Sequence, residues 1–213
     1  MRLNREEIWA YVHSERRALA AVLATLSDEQ WATDSLCAGW TVKDVAGHVI
    51  AHPQTGLRDL PRVLPLVIRA HGSYSKTIYA QGKLVSDRPT DEIVADFARM
   101  DGSRGHPPGT PVRFALIEIL LHTQDIVIPL GMAHTMPPIA AACAADLVRP
   151  LASSMGVRHK VSGVRMIATD VDWSAGKGPP VQGPMQQLLL AMSGRPADVA
   201  QLSGEGAAAL QQD

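Results

Sequence analysis

The sequence predicts an α+β chain that is mainly α: a helical bundle over residues 1–155, followed by a smaller mixed α/β appendage over 156–213. Several segments of the first part repeat apolar residues at helical spacing. One of them, residues 111–131 (PVRFALIEILLHTQDIVIPLG), is apolar in nearly every direction, as a helix at the centre of a bundle reads. Around Gly156 the composition turns to valines, glycines and prolines, and short strands with tight turns become the expectation.

Residues 4–26 carry Ile8, Tyr11, Val12, Leu19, Val22, Leu23 and Leu26 near helical spacing, with Glu6, Glu7, Glu15, Arg16 and Arg17 placed elsewhere, so a long amphipathic first helix is predicted. Residues 27–40 read as a connector in which Ser27-Asp28-Glu29-Gln30 caps a short turn and Cys37-Ala38-Gly39-Trp40 is tight and aromatic. Thr41 is a good N-cap with Asp44 three residues on, and Pro53 closes the helix that follows. Its core stripe is Val42, Val45, Ala46 and Val49, and Asp44, His48 and His52 line the adjoining edge. Over 57–81, Pro61 and Pro65 leave room only for a broken or late-starting helix.

Thr90-Asp91-Glu92 opens another helix, through Met100, and the Gly- and Pro-rich run 101–110 is a loop leading into the central helix. That helix tolerates Pro111 at its start and ends by Pro129 and Gly131. An Ala-rich helix over 137–155 contains Cys143. In the appendage, strands are expected over 161–169 and 181–183, with Val171-Asp172-Trp173 and the turn-rich SAGKGPP between them. A short helix over 185–193, a strand over 199–202 and a helix over 205–212 complete the chain.

At 46% hydrophobic, 213 residues suffice for one large core or a main domain with an appendage. Twenty basic against 21 acidic side chains give a net charge of −1, and no Lys/Arg cluster marks a nucleic-acid or membrane surface, so the expected partner is a small molecule. Cys37 and Cys143 form neither a CxxC motif nor a disulfide framework. A charged amino terminus and the lack of any apolar run of about 18 residues argue against a signal peptide and a membrane span. A cytoplasmic protein, with a homodimer left open, is the expectation.

Chemistry concentrates in the central helix. Glu118 and His122 are four residues apart, so their side chains leave one face about one turn apart, and Asp125 follows on that face. An unpaired buried carboxylate is costly, so Glu118 must be neutralised by a proton, a basic group or a cation. A structural ion pair with Arg113, a metal site completed by His48, and a metal-free acid/base pair all satisfy that requirement. His48 is preferred over His52, whose position before Pro53 disfavours helical geometry. Asp44 is read as a cap, with a bond to His48 as the alternative, and Asp125 as an acceptor for a ligand or a substrate, or as packing.

His13, His71, His106, His134 and His159 fall in surface-like contexts, while Trp9, Trp40 and Trp173 read as core anchors. Cys37 has no neighbouring base in sequence, and G-x-S-x-G, Walker A and G-x-G-x-x-G are all absent.

Two stretches together resemble a known family. CAGWTVKDVAGHV, residues 37–49, is similar to the opening of the second helix in the mycothiol-dependent maleylpyruvate isomerase family, within the DinB-like superfamily of metal-binding four-helix bundles. ALIEILLHTQDIVIPLG resembles that family's fourth-helix motif, and residues 168–195 resemble the carboxyl-terminal segment of actinobacterial members. The resemblance implies a DinB-like four-helix bundle, a divalent metal, expected to be zinc, on His48, Glu118 and His122, and mycothiol or a similar low-molecular-weight thiol as cosubstrate. The thiol would attack an electrophilic small molecule, in an isomerase or an S-transferase reaction, with Asp125 as the further catalytic candidate and substrate grip from the loops at 53–65 and 101–110. A zinc-dependent hydrolase and a non-catalytic metal-binding bundle are the alternatives.

Overall fold

The computed structural model describes residues 3–51, 64–65, 68–69, 71, 74–106, 109–151 and 161–211. The α+β, mainly helical class holds: helices dominate, and the strands form one small sheet near the carboxyl end. The chain divides into two compact units, Trp9–His134 and Thr135–Asp213 with Met1–Ile8.

Helix α1 (Arg5–Leu23), which belongs to the first unit from Trp9 onward, buries Trp9, Val12, Leu19 and Leu23. The connector holds the short α2 (Asp28–Ala32), which begins with a complete capping box: Gln30 N–H donates to Ser27 Oγ, and the Gln30 side chain accepts from Ser27 N–H. The same logic, with a shorter acid, starts α3 (Val42–Ala51). Thr41 N–H donates to Asp44 Oδ2 at 2.8 Å and Asp44 N–H to Thr41 Oγ1 at 3.3 Å. Gly47 lies where α4 (Tyr74–Ser86) approaches, and a Cβ there would stand 3.3 Å from the Ser86 backbone nitrogen. Asp44 fastens the two helices by accepting from Lys83 Nζ and Ser86 Oγ, each at 2.5 Å. Two more helices, α5 (Thr90–Arg99) and α6 (Val112–Val127), follow in this unit. The predicted centrality of α6 holds, with Leu116, Ile119, Leu120 and Ile126 at most 1% exposed.

The second unit packs α7 (Pro138–Leu151) with α8 (Met185–Met192) and a three-stranded sheet of order β2-β1-β3. Strand β1 (Arg165–Ala168) runs antiparallel to β2 (Ser174–Gly176) and parallel to β3 (Pro180–Gly183). Trp173 Nε1 donates to Asp146 on α7 at 3.0 Å. A final helix, α9, covers Ala207–Gln211.

Three expectations fail here, the first being the strand over 161–169, which is confined to Arg165–Ala168 with residues 161–162 helical. The strand expected over 199–202 is a 3₁₀ turn, Val199–Gln201, because the Asp198 side chain accepts from Ala200 N–H and competes locally with strand pairing. Part of the turn-rich SAGKGPP is a strand, made possible by Gly176 at φ 95°, whose absent Cβ leaves space for the Val164 carbonyl.

Candidate metal centre

Helix α6 sets Glu118 and His122 one turn apart, and His122 Nε2 lies 3.4 Å from Glu118 Oε2. Helix α3 supplies His48, whose Nε2 lies 2.9 Å from the same oxygen. The two imidazoles meet edge-on, with centroids 5.0 Å apart and planes at 87°. The three residues nominated in the sequence therefore converge, with one ligand atom from each inside a span of 4.8 Å.

Asp125, fully buried, receives His122 Nδ1 at 2.8 Å on Oδ2. The connector adds a residue that the sequence reading set aside. Leu36 N–H donates to the Asp125 backbone carbonyl, and this tie brings Cys37 Sγ to 3.2 Å from Asp125 Oδ2 and 3.8 Å from His122 Nδ1. Cys37 thus does have a base nearby, supplied by a helix far along the chain. Trp40 packs on His48 with ring centroids 5.1 Å apart. Asp44 is not part of the cluster: its bonds go to Thr41, Lys83 and Ser86.

Burial alone would raise the Glu118 carboxyl, but the charge of His122 and hydrogen bonds from His122 and His48 hold it well below the usual carboxylate range. Burial pushes the His122 imidazole down, and the Glu118 charge with bonds to Asp125, Cys37 and Glu118 more than reverses this, lifting it well above its ordinary value. For His48, burial prevails over its bond to Glu118 and keeps it below the ordinary value. With no cation bound, the surroundings thus favour the charged forms of Glu118 and His122 and disfavour that of His48. Among the described residues, Arg113 is not joined to Glu118.

This donor set suits a divalent cation. Two imidazoles and a carboxylate are a common catalytic zinc set that leaves a fourth position open. Asp125 on His122 Nδ1 is the carboxylate–histidine arrangement that fixes which nitrogen a ligating ring presents. The Glu118 side chain keeps 26% exposure, so the cluster is reachable from outside.

Several side chains expected on the surface are not there. Glu15 and Arg16 are buried, and His13, His106 and His134 are partly so; His134 Nε2 pairs with Glu15 at 2.8 Å, and His13 Nε2 donates to the Ser103 carbonyl at 3.1 Å. Periodicity misses these because each of their contacts joins α1 to a loop distant in sequence, at 103–106 or 134. His71 is exposed as expected. His52, His159 and the loop at 53–63 lie outside the described residues.

Fold and cluster define a mainly helical protein with a histidine–glutamate–histidine group suited to holding a metal ion. Residues 12–106 match the family model described as the mycothiol maleylpyruvate isomerase N-terminal domain. Two solved structures share the fold. One is a mycothiol-dependent maleylpyruvate isomerase, at 15% identity and a TM-score of 0.64; the other is a histidine-to-alanine mutant of that enzyme, at 14% and 0.62. Each comparison covers 95% of this chain and 93% of the other. No curated protein matches the sequence significantly.

Proposed function

We propose that the protein is an enzyme that holds a divalent metal ion, zinc, on His48, Glu118 and His122 and directs mycothiol or a similar low-molecular-weight thiol at an electrophilic small molecule. The outcome is isomerisation or S-transfer. The observation that carries this reading is the meeting of two imidazole nitrogens, from two helices, at one carboxylate oxygen. The family model that residues 12–106 match and the neighbours named for mycothiol-dependent maleylpyruvate isomerase support the thiol.

A zinc ion held there supplies the positive charge that keeps a thiol ionised at neutral pH. The chain's own groups prepare for it. His48, whose charged form burial disfavours, offers a lone pair at Nε2 in the tautomer that carries its hydrogen on Nδ1. Asp125 retains the proton on His122 Nδ1, which turns Nε2 of that ring toward Glu118. Asp125 thereby acts through His122.

Elemental analysis of the purified protein, joined to turnover assays on a panel of electrophiles with and without added thiol, tests the proposal. Expected are roughly one zinc per chain, as a single three-ligand site holds, and consumption that needs the thiol. Turnover without thiol would instead mark a hydrolase, metal without turnover a non-catalytic bundle, and absence of metal would end the reading.

A further inference from the structure

We infer that Arg16 anchors a second binding site, for the carboxylate of a small organic acid, where α1 meets the segment 101–106. Arg16 is 6% exposed, yet among the described residues its one hydrogen bond runs from Nη1 to the Ser103 backbone carbonyl, at 2.9 Å. His13 Nε2 donates to the same carbonyl, which fills both of its lone pairs. Among the described residues, no carboxylate pairs with the guanidinium. Glu15, its neighbour in sequence, is taken by His134, whereas the more exposed Arg17 and Arg88 have acidic partners in Asp101 and in Asp96 and Glu92. Burial without compensation pushes the Arg16 side chain down to about 10.

Arg16 Nε and Nη2 make no hydrogen bond among the described residues. Their hydrogens point the same way from a planar group and form the two-pronged fork that carboxylate oxygens match. Beside that fork, Trp9 has its ring centroid 5.9 Å from Arg16 Cζ. Its indole Nε1 is buried without an acceptor. The rings of His13 and His106 flank Trp9 at 5.7 and 5.9 Å. An unopposed buried cation and an orphaned buried N–H are each destabilising, and a bound carboxylate relieves the first directly.

The site shares no residue with the His48–Glu118–His122 cluster. Titration with acetate, succinate and benzoate at constant ionic strength, followed by nitrogen–proton NMR of the Trp9 indole and Arg16 Nε–H groups, tests it. A saturable shift of both signals is expected, at least tenfold weaker in Arg16→Met for the Trp9 signal and unchanged in His48→Ala, which separates this site from the metal reading. No saturable shift in the wild type would overturn the inference, as would an equal Trp9 response in Arg16→Met. Tighter binding of inorganic phosphate than of every carboxylate would overturn the ligand assignment. The Arg16 Nε–H signal of the wild type decides the matter even where the Met variant does not fold.

Discussion

His122 gives its Nδ1 hydrogen to Asp125 across 2.8 Å while its other nitrogen faces Glu118 at 3.4 Å, so one ring is held from both ends. Partners of this kind raise the basicity of a ligating histidine and fix its direction. Asp125→Asn keeps the shape of the side chain but removes the charge. The variant is expected to fold and to bind zinc roughly 10- to 100-fold more weakly, measured by competition with a chromophoric chelator. Unchanged affinity would show that Asp125 does not act through His122.

The two histidines of the cluster are expected to behave alike toward metal and differently toward stability. His48→Ala and His122→Ala each lose bound zinc while far-UV circular dichroism retains the helical signal. Without metal, however, His122 makes the larger charge contribution to Glu118 among the described residues, whereas burial disfavours the charged form of His48. His122→Ala should therefore be the less stable by about 2 kcal/mol, a figure reduced from that of a fully buried pair because Glu118 retains access to water. Urea denaturation in the presence of a chelator measures the difference. Equal stabilities would contradict the assigned charges.

What the sequence disclosed and what it hid follow from the range of the interactions concerned. Spacing along α6 puts Glu118, His122 and Asp125 on one face, and the Thr41–Asp44 cap fixes the start of α3 and hence the side from which His48 emerges. Those are relations within a turn or two of helix, and periodicity encodes them. Cys37 joins Asp125 across 88 positions through a backbone bond from Leu36, and Arg16 meets Ser103 across 87. No local pattern encodes such pairings. The 3₁₀ turn at Val199–Gln201 shows the opposite failure, in which one Asp198 side-chain bond outweighs the β-leaning of its neighbours.

Asp44 links α3 to α4, and its protonation should be legible in acid unfolding. Burial raises its carboxyl, but hydrogen bonds from Lys83, Ser86 and Thr41 outweigh that and leave it below its ordinary value of 3.8. The folded carboxyl is thus the harder one to protonate. These bonds contribute fully above pH 3.8 and are lost as the pH falls below it through the folded value. Because Lys83 is 41% exposed, its share is screened, and Asp44→Asn should cost about 1–2 kcal/mol near neutrality, mostly the cap and the Ser86 bond. Below pH 3.8 the variant and the wild type should converge. Urea unfolding of metal-free protein across this range checks the sign: a gap that widened toward low pH would reverse it.

Gly82, inside α4, sets two physical effects against each other. By helix propensity alone, Gly82→Ala should stabilise the chain by about 1 kcal/mol. A Cβ at this position, however, would lie 3.0 Å from Trp40 Cζ2 and 3.1 Å from Cη2. The indole has little freedom to yield, being 6% exposed and packed between His48 at 5.1 Å and Tyr79 at 6.1 Å. Crowding a packed ring costs about 1–3 kcal/mol, so the net change is expected to be a loss of stability. A ring displaced toward His48 should also weaken zinc binding and alter the near-ultraviolet circular dichroism of the tryptophan. A higher melting temperature with unchanged metal affinity would mean that Trp40 is not held tightly enough to steady His48.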